Sequence, residues 1–134
     1  MADGETITYE ARGEKGPSSV HPAIGGQVFL LGPEGVQLHR LTDPGTGQED
    51  LSPGNTAELS GFDKGPLPFK EKEWDRVSLT LSGDKVSITL NGKRLGEAPL
   101  EKGAPRRFGL FRWADSPTTR VRNVEISGPW KFAE

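Results

Sequence analysis

The strongest constraint on this chain is a period of two in its second half. Val77, Leu79 and Leu81 fall on one side of an extended backbone while Arg76, Ser78 and Thr80 fall on the other. Val86, Ile88 and Leu90 repeat the pattern after Ser82-Gly83-Asp84-Lys85, a spacer of the right length and composition for a tight hairpin turn. Apolar side chains at i, i+2 and i+4 share a face only in a β-strand. Asn91-Gly92 follows at once, and a type I′ turn needs positive φ at both central residues, which Asn and Gly tolerate best. Antiparallel hairpins are therefore the building unit.

The same reading extends to the rest of the chain. Glu5 to Ala11 alternates as a half-exposed strand, and Gln27 to Leu31 is a short apolar run that fits a strand buried on both faces. Gly32-Pro33-Glu34-Gly35 supplies turn chemistry, and Val36 to Leu41 reads as the returning strand. Arg106 to Trp113 and Arg120 to Ser127 complete about seven strands, with no helix of two turns. Residues 13–22 read as loop, and 42–72 as a long irregular connection anchored by Leu51, Leu59, Phe62, Leu67 and Phe69. Gly and Pro make up 29 of 134 residues and only 32% are hydrophobic, a balance that approaches disordered composition. The apolar residues are gathered into alternating runs, however, and the length suits one core. The expected fold is a single all-β domain over 1–134, with turn signals spaced as in an antiparallel sandwich or barrel.

Several function classes fall away on composition. The chain has no cysteine, which removes disulfide frameworks, thiolate metal sites and cysteine nucleophiles without fixing a compartment. No apolar stretch approaches the length of a membrane span, and Met1-Ala2-Asp3-Gly4-Glu5 is not a signal peptide. The net charge of −2 hides an asymmetry: residues 1–63 carry −7 and residues 64–134 carry +5. Interleaved strands would bring these charges together across a solvated surface; the alternative is a basic patch for an anionic partner. With no stacking motif and an acidic balance, nucleic acid is not an expected partner.

From Trp74 to Trp130 the runs Glu73-Trp74-Asp75-Arg76-Val77, Gly83 to Gly92, Phe108-Gly109-Leu110-Phe111 and Val121 to Ile126 resemble the second half of a concanavalin A-like jelly roll. Laminin G-like modules, legume-lectin-like glucanases and 3-keto-disaccharide hydrolase type domains share that pattern. Val20 to Gly25 and Gly35 to Asp43 are closer to an uncharacterised bacterial domain family found in the C-terminal part of long exported proteins. The resemblance covers Glu5 to Trp130. It implies an antiparallel β-sandwich of jelly-roll type whose opening strands are missing or reduced, an extracytoplasmic setting within a longer chain, and carbohydrate as the first ligand class to test.

Glucanases of the resembled superfamily carry clustered carboxylates on one strand, because retaining hydrolysis needs two of them about 5–5.5 Å apart. Nothing here matches, and Glu71 to Asp75 reads as a solvated strand mouth, so no catalytic residue is assigned. The only histidines are His21 and His39, too few for a three-histidine zinc site; a mixed site would need Asp43 or Glu34, and no metal centre is assigned. His39 is expected beside Gln37 on a polar face, with Arg40 and Asp43 following, and His21 in a loop. The favoured reading for the two histidines, ahead of catalysis or ligation, is that one caps a loop by hydrogen bonding and the other is half-buried between strands. Trp113 with Arg112 is the candidate platform for a sugar ring, while Trp74 and Trp130 are expected to plug the core. The expected ligand-binding set is thus Gln37, His39, Arg40, Asp43, Arg112 and Trp113. No cofactor is expected, although Asp43, Asp50 and Asp63 offer oxygen ligands for calcium. Arg106, Arg107, Arg112, Arg120 and Arg122 are read either as cross-strand partners of acids or as a site for carboxylated sugars. The functional expectation is a non-catalytic binding module, with a sugar-processing enzyme domain or a structural domain of a longer protein as alternatives. The Gln27 to Leu31 run carries no charge or proline to blunt a sheet edge. Either the 42–72 connection covers it in a monomer, or two copies pair there as a homodimer.

Overall fold

The computed structural model describes residues 3–13, 20–32, 35–40, 56–58, 61–62, 65–70, 73–100, 103–112 and 119–128. Ten strands occur among them: β1 (Thr6–Gly13), β2 (His21–Ile24), β3 (Gln27–Gly32), β4 (Gly35–Arg40), β5 (Thr56–Glu58), β6 (Asp75–Ser82), β7 (Lys85–Leu90), β8 (Lys93–Pro99), β9 (Phe108–Phe111) and β10 (Thr119–Ser127). They form two five-stranded antiparallel sheets, sheet I in the order β10-β1-β6-β7-β8 and sheet II in the order β5-β4-β3-β2-β9. The chain is all-β, as its alternation predicts, and it is the sandwich that the resemblance implies. The described residues include no helix long and apolar enough to cross a membrane.

Alternation builds the core directly. Tyr9, Ala11, Val77, Leu79, Leu81, Val86, Ile88 and Leu90 line the inner face of sheet I and meet Ile24, Phe29, Leu31, Val36 and Leu38 from sheet II. Leu79, Leu81, Ile88 and Leu90 are fully enclosed, each contributing about 1.5–3 kcal/mol relative to an exposed side chain. The Asn91-Gly92 turn has φ of 50° and 84°, the left-handed pair that the sequence calls for. A second left-handed residue, Asn123 (φ 54°), lies where the β1–β10 register shifts between Thr8 and Glu10, a bulge that leaves an extra residue on β10.

Three strands differ from the sequence reading. β2 falls within a segment read as loop up to Pro22, because proline removes a ladder donor and argues against a central strand. β5 lies inside the predicted connection and is only three residues long. β8 continues beyond Leu95 through Gly96 to Pro99. The run from Gln27 to Leu31 is buried on both faces, but β3 lies between β4 and β2 and is not an edge.

Within the predicted connection β5 extends sheet II beside β4, whereas Gly61 and Phe62 dock at the β8 edge of sheet I. Phe62 bridges to Gly96, Glu97 N–H donates to the Gly61 carbonyl (3.3 Å), and the Phe62 ring enters the core 6.1 Å from that of Phe29. Leu67 and Phe69 pack against the same core.

Candidate functional site

Of the residues expected to bind ligand, Gln37, His39 and Arg40 lie on β4 of sheet II and Arg112 just beyond β9, and these four do not come together. Asp43 and Trp113, like Glu34, Asp50, Asp63 and Trp130, lie outside the described residues. Gln37 is exposed, but His39, two residues along the same face of β4, is fully enclosed rather than projecting from a polar surface. The reason lies across the sheet, where the Phe111 ring spans the two intervening strands and rests 5.6 Å from the imidazole. Ala23 and Val28, in register with His39 on this face, are also buried, while Phe111 reaches in from two residues beyond the row. Arg40 is exposed at the row of Gln27, Ile24 and Phe108, whereas Arg112 follows Phe111 at the opposite end of the sheet.

His21 is a strand residue with a structural partner. The β2–β3 pairing is limited to Ala23↔Val28 and Ile24↔Gln27, and Pro22 has no N–H to extend it. The imidazole continues the ladder instead, its Nδ1 accepting from Leu31 N–H at 3.1 Å. Burial lowers the His21 pKa from 6.5 to about 4, so the ring is neutral at pH 7. Between those two values the unfolded chain binds more protons than the folded one, and stability falls as pH falls. The expected loss is about 2.5 kcal/mol between pH 7.5 and pH 4.5. His21→Gln keeps an acceptor for Leu31 and does not titrate. Urea melts at the two pH values should show a smaller pH response for that variant, and identical responses would contradict the assignment.

The outer face of sheet I is the polar surface that the sequence reading did not single out. Thr6, Thr80 and Ser87 form one row in register and Thr8, Ser78 and Thr89 a second. Hydroxyl–hydroxyl bonds join Thr6 to Thr80 (2.8 Å) and Thr8 to Ser78 (3.0 Å). At one end of the rows Glu10 pairs with Arg122 (3.5 Å) and accepts from the Asn123 amide. The Asn123 hydrogen bond chiefly holds the Glu10 carboxyl below its ordinary range; burial opposes this, and the charges of Arg122 and Arg76 add to it. The Arg122 guanidinium lies 3.9 Å from the centre of the Trp74 ring, which is half-buried on this outer surface rather than plugging the core.

Beside this cluster is a groove of about 380 Å³ lined by Lys70, Arg76, Ser78, Thr89, Asn91 and Gly92. Its floor is fixed by a hydrogen-bonded network around the buried Asp75. Asp75 is 2% exposed, and its Oδ1 accepts from Lys70 N–H (2.7 Å) and Asn91 Nδ2 (2.8 Å). Asn91 Nδ2 also donates to the Pro68 carbonyl (2.9 Å), while its Oδ1 accepts from Arg76 N–H (2.9 Å). One turn residue therefore ties together the 65–70 segment, the start of β6 and the β7–β8 hairpin. The solvated strand mouth expected at Glu71 to Asp75 is not what forms at Asp75. Arg122 takes the cross-strand role with Glu10, while Arg106 pairs with Asp84 in the β6–β7 turn at 3.0 Å.

Comparison with known proteins agrees with this architecture. Caenorhabditis elegans galectin LEC-6 superposes with a TM-score of 0.57 at 12% identity, over 94% of this chain and 84% of that one. A tetrameric galectin from the ball sponge Cinachyrella sp. gives a TM-score of 0.48 at 17% identity, over 97% and 94% of the two chains. At such identity the LEC-6 match shows a shared lectin-type jelly roll and nothing more. No curated protein matches the chain. The family model described as a domain of unknown function, DUF1583_N, matches residues 1–133. The chain thus belongs to the DUF1583_N domain family.

Proposed function

We propose that this domain is a non-catalytic carbohydrate-binding module whose ligand lies in the groove on the outer face of sheet I. The observation that carries this reading is the groove itself: about 380 Å³ lined by hydroxyl, amide and cationic side chains on a braced floor. Its volume lies within the range of small-ligand sites, and its lining suits a hydroxyl-rich molecule better than an apolar one. The galectin-like jelly roll gives the reading a setting, and the sequence lacks the clustered carboxylates that glycoside hydrolysis requires. Within a longer exported protein, the setting implied by the resemblance, such a module would hold its parent chain on a saccharide.

A glycan array and a panel of chromogenic glycosides test this with the intact chain. The expected result is retention of at least one saccharide class without turnover, weakened in Thr89→Ala. Turnover that disappears in His39→Ala would overturn the module in favour of a sugar-processing enzyme. Silence in both assays would leave a structural role.

A further inference from the structure

We infer that the groove takes an acidic saccharide, its carboxylate or sulfate held by Lys70 and Arg76. This rests on the carbohydrate-binding reading above and adds the charge of the sugar. Three basic side chains on sheet I are matched to acids, Lys85 with Glu97 (3.6 Å), Arg94 with Glu97 (2.7 Å) and Arg122 with Glu10 (3.5 Å), while Arg12 and Lys93 make no ion pair among the described residues. Lys70 and Arg76 are the basic residues that line the groove. Both are exposed and neither lies within ion-pair distance of an acid among the described residues, although Arg76 stands opposite Glu10 in register and its charge acts on that carboxyl. Of the carboxylates nearby, Glu73 is exposed and its side chain makes no ion pair among the described residues, while the other two are engaged. Asp75 is enclosed beneath the groove with two N–H donors on one oxygen, and Glu10 is taken by Asn123 and Arg122.

The remaining lining completes the match. Ser78 and Thr89 stand opposite each other in the β6–β7 register, and the Thr89 hydroxyl makes no side-chain hydrogen bond among the described residues. A guanidinium can grip a carboxylate or sulfate through two parallel N–H bonds, the ammonium adds a point charge, and the Thr89 hydroxyl is left for the sugar ring, Ser78 being bonded to Thr8. Arg122 covers a face of Trp74, so that face is closed to the ring stacking by which neutral sugars are often held. The groove is also far roomier than a bare inorganic anion needs.

Isothermal titration of the intact chain tests the inference against neutral, uronate-containing and sulfated oligosaccharides of equal length. Inorganic sulfate and single-stranded DNA serve as further probes. The expected result is binding of one or both acidic sugars that weakens with salt, the two acidic arms separating carboxylate from sulfate recognition. Arg76→Gln and Lys70→Gln should each weaken binding about tenfold, and Lys85→Gln, on the same sheet but outside the groove, should not. Circular dichroism verifies that each variant is folded. Neutral sugars bound as tightly as acidic ones, with no response to either substitution, would overturn the acidic assignment and leave the module reading intact. No binding of any sugar would defeat both. Sulfate or DNA bound as well as the sugars would overturn the saccharide assignment.

Discussion

Asp75→Ala is expected to lower the free energy of unfolding by about 3 kcal/mol. The carboxylate is 2% exposed and is the acceptor for both Lys70 N–H and the Asn91 amide. Removing it strands two donors where water is largely excluded, at about 1–3 kcal/mol each before relaxation. A small domain has only about 5–15 kcal/mol of stability in total. Asp75→Asn keeps the shape and one oxygen and should cost less. Asn91→Gly retains the left-handed turn conformation, which glycine adopts freely, while deleting the amide. A double-mutant cycle between Asp75→Ala and Asn91→Gly, read by chemical denaturation, should give a coupling of about 1–2 kcal/mol. Strict additivity would mean that the two side chains do not act through one network.

The second large effect belongs to Gly96→Ala, expected to cost about 3–4 kcal/mol from backbone strain and overpacking together. Gly96 has φ of 153°, and a Cβ there would run into the Gly61 carbonyl oxygen and come within 2.7 Å of Phe62 Cα and 2.8 Å of Phe62 Cγ. Two of those atoms are backbone and cannot swing aside. The crossing strand must lift from β8, drawing Phe62 away from Phe29. Phe62→Ala alone should cost a similar amount through the cavity it leaves. Combined with Gly96→Ala it should add little, because both disrupt the same docking. Thermal melts of the two single variants and the double variant decide this, and full additivity would sink the explanation.

How far the sequence foretells this molecule depends on how locally each feature is encoded. The β6–β7–β8 hairpins follow from alternation and from two short turns, so Val77 to Leu90 is legible residue by residue. Glu5 to Ala11 and Gln27 to Leu31 are legible for the same reason. β2 is not, because Pro22 removes the donor by which a central strand is recognised, and the compensating partner, His21 Nδ1, comes from a side chain. Asn91 is legible as a turn residue through its backbone preference. Its three side-chain bonds depend on Pro68, Asp75 and Arg76 arriving from elsewhere in the chain.

The candidate site shows the same division more sharply. Gln37 and His39 share a face of β4, as period two demands, yet one is exposed and the other enclosed. That difference is made by Phe111, more than 70 residues away in sequence. Trp74 looks like a core plug from its position before a strand, but its parity with Arg76 and Ser78 sets it on the outer face, where Arg122 meets it. Alternation counted backward from Val77 would have signalled this. The groove itself could not be read in advance, since Lys70 reaches it through a segment with no periodicity.

β1 is flanked by β10 as well as β6, with Thr6 opposite Ser127. Just outside that pair, a Cβ on Gly128 would lie 3.0 Å from Glu5 Cα. Glu5 and Gly128, which flank the first and last strands of the sandwich, therefore lie side by side next to the β10 edge of sheet I. Seen as a part in an assembly line, the sandwich needs only a single socket. Spliced into a surface loop of another protein, it would hang as a side pendant without prying its host apart, and a short bridge joining these neighbouring ends would free the chain to be opened at any exposed turn.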